Sequence, residues 1–208
     1  MNTVFVNPEL CIGCRQCEFA CAVEHSRSRI PVMALFEDPP PRTRIHVEPG
    51  PAYNTSFPNK CRHCNPAPCQ HVCPTAAITR DAQQDLVLLN PGKCIACAMC
   101  AMVCPFDVLT YHAQDDGMPV RVVALKCDGC VDRVTRGERP ACVETCKVGA
   151  LVYGELNELV RAGRLRETRA VLTATTLLET AARPGPETVA AWRAWGADAS
   201  QIAERGAR

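Results

Sequence analysis

Residues 94–105 read CIACAMCAMVCP, so four cysteines follow one another with two, two and three residues between them. Three cysteines spaced in this way let one tight loop present three thiolates to three corners of a small cube. The fourth cysteine comes where the chain turns into its next element, so its thiolate points away from that cube. The stretch therefore predicts a loop that binds a polynuclear metal centre and offers one further ligand to a second such centre.

All sixteen cysteines of the 208-residue chain fall into four groups of this kind. Group one has the same spacing as residues 94–105, group two has four residues in its middle gap, and group four has eleven. The groups are Cys11, Cys14, Cys17 and Cys21; Cys61, Cys64, Cys69 and Cys73; Cys94, Cys97, Cys100 and Cys104; and Cys127, Cys130, Cys142 and Cys146.

Disulfides, zinc and iron–sulfur clusters are three competing uses for so many cysteines. Disulfides need an oxidising compartment, and residues 1–8, MNTVFVNP, carry no basic, apolar or twin-arginine export signal. Export together with a partner that carries a signal stays open. A zinc site closes a tetrahedron with two separated C-x2-C pairs and has no use for a repeated third cysteine. We therefore expect four [4Fe–4S] clusters, one for each group.

The formal net charge of +1 changes sign once such clusters are counted. An oxidised [4Fe–4S] core with four thiolates carries about −2, so four of them bring the protein to about −7. This charge disfavours nucleic acid as a partner and favours docking to a basic surface. No apolar run reaches the roughly 18–20 residues that span a bilayer. We expect a cytoplasmic protein, or one held at the inner face of the membrane through a partner.

The sequence predicts an α+β fold of two tandem or interleaved bacterial-ferredoxin-like units with small antiparallel hairpins and short helices. The stretch 6–14, VNPELCIGC, parallels 89–97, LNPGKCIAC, and Asn-Pro marks the turn into each loop. Hairpins are expected at 78–89 and 108–125. Residues 27–60 form a proline-rich insertion that packing on another element or a partner must order, and 135–140 form a charged loop.

Two domains are expected, a four-cluster domain at residues 1–154 and a helical C-terminal extension at 155–208. After Gly154 the cysteines stop and Ala, Arg, Glu and Leu dominate. Helices are expected at 155–163, 168–182 and 187–195, with breaks near Gly163 and at 184–186. A stripe at helical spacing faces either the core or a partner, and it consists of Val189, Trp192, Ala199 and Ile202.

The order of the four groups resembles the four-cluster ferredoxin-like subunits of multi-subunit oxidoreductases, over residues 2–154. A narrower resemblance, to the iron–sulfur partner of nickel carbon monoxide dehydrogenase, lies in FVNP (5–8), CIGCRQCEFAC (11–21), RIHVEPG (44–50) and NKCRHC (59–64). It implies that electrons pass from carbon monoxide dehydrogenase, through this chain, to a hydrogenase or other acceptor. The broader resemblance implies a subunit of a molybdopterin oxidoreductase, a formate dehydrogenase or a formate hydrogenlyase-type complex.

The family's pattern further implies that groups one and four exchange their last cysteines, as do groups two and three. The residues alone leave self-contained groups open as an alternative. The exchanged sets are Cys11, Cys14, Cys17 and Cys146 for cluster 1; Cys61, Cys64, Cys69 and Cys104 for cluster 2; Cys94, Cys97, Cys100 and Cys73 for cluster 3; and Cys127, Cys130, Cys142 and Cys21 for cluster 4.

An electron relay, an enzyme with its own active site and a redox-sensing scaffold are the functions that compete. Complete ligation by cysteine leaves no iron open to substrate, and the sequence has no G-x-G-x-x-G, P-loop or H-E-x-x-H motif. We therefore expect electron transfer and no catalytic residue. A sensor would carry one exposed cluster beside a nucleic-acid-binding element, and no basic helix of that kind is visible.

The remaining polar candidates are histidines and one lysine. His63 and His71 lie inside group two and are expected to hydrogen-bond to or shield a cluster rather than act as bases. Lys147 follows Cys146 and either raises the reduction potential of cluster 1 or is a solvated surface lysine. The histidines are scattered, at His25, His46, His63, His71 and His112.

Overall fold

A computed structural model describes residues 2–51, 55–114 and 121–181. The chain divides into two compact units, residues 1–159 and 160–208. The first unit contains every cysteine and alternates short strands with short helices. This alternation confirms the predicted α+β class and its small antiparallel hairpins.

The strands of the described residues pair into four two-stranded antiparallel sheets, β1 with β8, β2 with β3, β4 with β5 and β6 with β7. These strands are β1 (Asn2–Val6), β2 (Ile45–Pro49), β3 (Ser56–Lys60), β4 (Ile78–Arg80), β5 (Val87–Leu89), β6 (Thr110–Gln114), β7 (Arg121–Leu125) and β8 (Leu151–Glu155). The helices are α1 (Gln16–Glu24), α2 (Pro31–Ala34), α3 (Pro68–His71), α4 (Met99–Met102), α5 (Val131–Thr135), α6 (Ala141–Glu144) and α7 (Leu156–Ala181).

The sheet of β1 and β8 joins the segment before group one to the segment after group four. Val6 lies opposite Leu151, and the pairing runs without interruption to Asn2 opposite Glu155. Beyond the strands, the backbone N–H of Asn7 donates to the carbonyl of Ala150 at 2.8 Å. The two outer cysteine groups are therefore held together by backbone hydrogen bonds.

The two predicted hairpins are present and join groups two, three and four in sequence. Ile78 lies opposite Leu89, and β6 pairs with β7 in the same antiparallel manner. The backbone N–H of Asn90 donates to the carbonyl of Ala77 at 2.7 Å. Since Asn7 makes the equivalent bond, the repeated Asn-Pro performs the same role in both halves and closes a strand pair just before a cysteine loop.

The proline-rich insertion contains a hairpin of its own, β2 with β3, which the sequence analysis did not predict. Val47 lies opposite Pro58, and Ile45 lies opposite Lys60. Ile45 and Val47 are buried among the cysteines of groups one and four. Proline inside a strand usually argues against that strand, which is why the sequence pattern concealed β3.

Two separate apolar cores lie beneath the cysteine loops, and cysteines belong to both. The first core serves groups one and four, and the second serves groups two and three. The buried members of the first are Cys17, Cys21, Ile45, Val47, Cys142, Val143 and Leu151. Those of the second are Ala67, Ile78, Val87, Cys100 and Ala124.

The C-terminal extension begins as one helix, α7, so the predicted break near Gly163 is wrong. A glycine inside a helix costs about 1 kcal/mol relative to alanine. The surrounding Leu, Arg, Glu and Ala residues are strong helix formers that outweigh this cost. The predicted helix at 187–195 and its stripe of Val189, Trp192, Ala199 and Ile202 lie outside the described residues. Over the described ranges, no helix combines the length and apolarity needed to cross a membrane.

Candidate iron–sulfur sites

Each cysteine loop turns through one residue with a left-handed backbone immediately before its second cysteine. Glycine adopts this conformation freely, whereas other residues pay roughly 1–2 kcal/mol to do so. The shared position shows that all four groups use the same tight turn, although their later spacings differ. The four residues are Gly13 (φ 69°), His63 (φ 50°), Ala96 (φ 54°) and Gly129 (φ 72°).

In three of these loops, the backbone N–H at the left-handed position donates to the sulfur of the first cysteine. A hydrogen bond to a thiolate favours its charged form, which is the form that binds iron. The loops are therefore arranged to stabilise negative sulfur. The bonds run from His63 to Cys61 at 3.4 Å, from Ala96 to Cys94 at 3.4 Å and from Gly129 to Cys127 at 3.3 Å.

Three cavities each bring four cysteines together. Each cavity takes three cysteines from one group and the last cysteine of another. The group-four cavity is lined by Cys127, Cys130, Cys142 and Cys21; the group-two cavity by Cys61, Cys64, Cys69 and Cys104; and the group-three cavity by Cys94, Cys97, Cys100 and Cys73. These are the sets expected for clusters 4, 2 and 3. The ligand assignment stays a prediction, and this arrangement favours exchanged over self-contained groups.

The cysteines expected for cluster 1 lie around the first core. Cys17 is buried in it, Cys11 and Cys146 pack against it, and Cys14 is exposed. Burial raises the pKa of the Cys17 thiol to about 12, and the thiols of Cys11 and Cys14 add to the rise. Cys11, Cys17 and Cys146 therefore share one core, consistent with the fourth predicted set.

The cysteines of the group-four cavity resist ionisation while they stand alone. Burial raises the pKa of Cys127 to about 11 and that of Cys130 to about 12. Burial also raises the pKa of Cys142 well above its usual value. Since iron binds thiolates, cluster assembly must displace these protons and is coupled to formation of the folded core.

Two buried lysines and one buried imidazole offer a test of whether the cavities suit an anionic cluster. Lys60 and His63 line the group-four cavity, and Lys126 lines the group-two cavity. The backbone N–H of Val87 donates to Nδ1 of His63 at 3.0 Å, which leaves Nε2 as the protonated nitrogen. That Nε2 is buried and has no partner in the described structure. An unpartnered buried N–H, together with two lysines that have no carboxylate within ion-pair distance among the described residues, fits a cluster with exposed sulfides and net negative charge.

The structure separates the two histidines of group two. His63 is buried as expected, and burial together with Lys126 and Lys60 lowers its pKa to about 3. It is therefore neutral and unsuited to act as a base near pH 7. His71, at the end of α3, is exposed, so shielding of a cluster by its ring is not supported.

A network around His25 was missed by the sequence analysis. His25 Nδ1 lies 2.7 Å from the carbonyl oxygen of Cys21, and its Nε2 lies 3.1 Å from Asp128 Oδ2. Asp128 also accepts a hydrogen bond from Arg44 and one from the Cys130 backbone at 2.9 Å. The network joins the exit of group one to the loop of group four. Its only sequence signal is the spacing of four residues between Cys21 and His25, which places both on one helix face.

Two models of known protein families match parts of this chain. Residues 53–156 match the model of the 4Fe-4S dicluster domain. Residues 4–21 match that of the 4Fe-4S binding domain. The chain belongs to the 4Fe-4S dicluster family. This dicluster protein binds [4Fe–4S] clusters, and its sixteen cysteines are enough to provide four ligands to each of four clusters.

Three curated relatives are similar to the dicluster protein over most of its length. An iron-sulfur protein of Rhodospirillum rubrum is 38% identical over 174 residues, 80% of this chain and 88% of the relative. Protein NrfC of Escherichia coli K12 is 37% identical over 154 residues, 72% of this chain and 63% of NrfC. One chain of the anaerobic dimethyl sulfoxide reductase of Haemophilus influenzae is 32% identical over 160 residues, which cover 74% of both proteins. The match thus spans slightly less than two thirds of NrfC.

Proposed function

We propose that this protein is the electron-transfer subunit of an oxidoreductase complex and relays single electrons through four [4Fe–4S] clusters. The observation that carries the proposal is the gathering of cysteines into sets of four, three of which line cavities of their own. Four thiolates occupy every protein-facing position of such a cluster. The chain therefore offers electrons a path and offers a substrate no open iron.

Three structural links between the cysteine sets support a relay order of cluster 1, cluster 4, cluster 2 and cluster 3. Cys17 and Cys21 lie on α1 and belong to the sets for clusters 1 and 4. Lys126 Nζ lies 4.0 Å from Cys61 Sγ and donates to the carbonyl of Cys127 at 2.9 Å, which links the cluster 2 and cluster 4 sets. The second core unites the cysteines of groups two and three. Each step of the relay thus crosses one shared structural element.

We further propose that nickel carbon monoxide dehydrogenase is the electron donor and that a hydrogenase or another redox protein is the electron acceptor. This choice is supported by four stretches that resemble the iron–sulfur partner of nickel carbon monoxide dehydrogenase, namely residues 5–8, 11–21, 44–50 and 59–64. We also propose a cytoplasmic location, or attachment at the inner face of the membrane through a partner.

A second candidate partner is a molybdopterin oxidoreductase. This chain is similar to one chain of a dimethyl sulfoxide reductase. That similarity supports a catalytic partner subunit of the molybdopterin class at least as well as it supports carbon monoxide dehydrogenase. Both candidates give this protein the same role, and they differ only in the protein that supplies or accepts electrons.

Affinity purification under anaerobic conditions distinguishes these partners. A tagged chain is purified from cells grown with and without carbon monoxide, and the co-purifying large subunit is identified by its metal content and mass. A nickel protein that appears only with carbon monoxide supports the first partner. A molybdenum protein independent of carbon monoxide supports the second. About sixteen irons per chain are expected in either case, and far fewer would contradict the relay itself.

A further inference from the structure

Two lysines that precede cysteine groups are almost completely buried. Lys60 is 2% exposed and Lys126 is 4% exposed. Across the described ranges, no carboxylate lies within ion-pair distance of either ammonium. Burying a charge without an opposite charge is strongly unfavourable. A lysine buried in this way keeps its charge only beside a negative group, and the groups at hand are the cysteine thiolates and the cluster that they bind.

Each lysine lines the cluster cavity of the other group, although its Nζ also donates to a carbonyl of the group that it precedes. Lys60 directly precedes Cys61 of group two, yet its side chain lines the group-four cavity. Lys126 directly precedes Cys127 of group four, yet its side chain lines the group-two cavity. Its Nζ lies 4.0 Å from the sulfur of Cys61. The two side chains are therefore exchanged between neighbouring cluster sites.

The hydrogen bonds of Lys126 match a charged ammonium. Its Nζ donates to the carbonyl of Val87, to that of Cys127 at 2.9 Å and to the sulfur of Cys61 at 4.0 Å. An ammonium has three donors and no acceptor, so these partners use all of its hydrogens. Lys60 Nζ donates to the carbonyl of Cys61 at 3.1 Å, which leaves it two hydrogens for thiolates and sulfides of the group-four cavity.

We propose that Lys60 and Lys126 raise the reduction potentials of the clusters in the group-four and group-two cavities. Lys60 acts on the cluster of the Cys127, Cys130, Cys142 and Cys21 set, and Lys126 acts on that of the Cys61, Cys64, Cys69 and Cys104 set. The inference rests on the proposed electron relay. A fixed positive charge favours the more negative, reduced form of a cluster. The pair also offsets the repulsion between two neighbouring clusters of like charge.

Redox titration of the anaerobic holoprotein, followed by electron paramagnetic resonance, tests this exchange. The variants are Lys60→Met and Lys126→Met, which replace each ammonium with an apolar side chain. Lys93→Met is the matched control, because Lys93 precedes Cys94 of group three in the same way and is exposed. The signal of the cluster in the group-four cavity is the one that disappears in Cys130→Ser, and that of the cluster in the group-two cavity is the one that disappears in Cys64→Ser.

Lys60→Met should lower the potential of the cluster assigned through Cys130, and Lys126→Met that of the cluster assigned through Cys64. We expect at least a tenfold change in the equilibrium constant for reduction, or about 59 mV for one electron. Lys93→Met should move neither potential. Unchanged potentials in the two buried variants, or a shift on the cluster of the lysine's own group, would overturn the proposal.

Iron content keeps the test decisive if a methionine variant fails to assemble. Lys60→Arg and Lys126→Arg retain the positive charge, so they should recover iron that the methionine variants lose. If both the methionine and the arginine variant at one position lose iron, the positive charge of that lysine is not what the cluster needs, and the proposal is overturned at that position. Wild-type protein with far fewer than about sixteen irons would instead contradict the relay, which separates the two failures.

Discussion

Val6 of β1 lies opposite Leu151 of β8, so the strand that enters group one is hydrogen-bonded to the strand that leaves group four. Helices α1 and α6, which carry cysteines of the same two groups, are also in contact. Helix α1 carries Cys17 and Cys21, which are predicted to serve different clusters. Loss of Cys21 should therefore damage a cluster whose other ligands lie in a distant part of the sequence.

Replacement of Cys21 by serine tests this exchange. Cys21→Ser should damage the cluster held by Cys127, Cys130 and Cys142 and leave the other three intact, because Cys21 lines the group-four cavity. The matched control is Cys17→Ser on the same helix, which should damage cluster 1. Iron analysis and paramagnetic resonance measure both. A Cys21→Ser protein that loses only cluster 1 would show that group one is self-contained.

Two glycines with left-handed backbones provide a test of the cysteine turn. A Cβ atom on Gly129 (φ 72°) would lie 2.8 Å from Leu86 Cδ2, whereas one on Gly137 (φ 77°) meets no atom within 4 Å. Gly137→Ala should therefore lose only about 1–2 kcal/mol to backbone strain. Gly129→Ala bears the same strain and must also displace the Leu86 side chain, which lines the group-four cavity, so it should lose iron from cluster 4. Equal iron content and equal resistance to urea in the two variants would contradict a role for this close contact with Leu86.

The cysteine spacing was sufficient to predict the cofactor, and short apolar stretches on either side of turn residues were sufficient to predict the hairpins next to the cysteine loops. Each of these features is local, because a few consecutive residues determine a tight loop or a two-stranded turn. The repeated Asn-Pro at Asn7 and Asn90 was also readable, and both asparagines close a strand pair in the structure. Spacing alone left the partners of the last cysteines open, since that choice depends on contacts between distant segments.

The features that the sequence analysis missed depend on tertiary contacts. The β2–β3 hairpin contains Pro58, so its strand character arises from pairing with Val47 rather than from local propensity. The ion pair of His25 with Asp128 joins residues 103 positions apart. The burial of Lys60 and Lys126 has no signal in a single sequence, because exposed Lys93 stands at the same place before its own group.

Ile45 tests the packing of the insertion against the first core. It is 1% exposed, and Ile45→Ala should cost about 2–5 kcal/mol through lost burial and the cavity left behind. Ile30→Ala is the control within the same insertion, because Ile30 is 55% exposed, and it should change stability by less than about 0.5 kcal/mol. The measurement is the urea concentration at which the visible absorbance of the clusters is lost. Similar midpoints for both variants would contradict a packing role for β2.

Lys147 was expected either to raise the potential of cluster 1 or to be a solvated surface lysine. Its side chain is exposed, where water and salt screen its charge. Lys147→Ala should therefore leave the midpoint potential of cluster 1 unchanged in a titration at moderate salt. A fall in that potential would restore the first interpretation.

Asp128 organises the junction between groups one and four, and its removal should destabilise that junction. Its carboxylate accepts hydrogen bonds from Arg44 and the Cys130 backbone and pairs with His25. Asp128→Asn leaves these partly buried cations without a countercharge and should cost about 2–3 kcal/mol, less than for a fully buried pair. Asp132→Asn is the control, because Asp132 and its partner Arg29 are 62% and 51% exposed, and it should cost less than about 1 kcal/mol. Urea-induced loss of cluster absorbance measures both variants, and equal midpoints would show that Asp128 contributes no more than a surface pair.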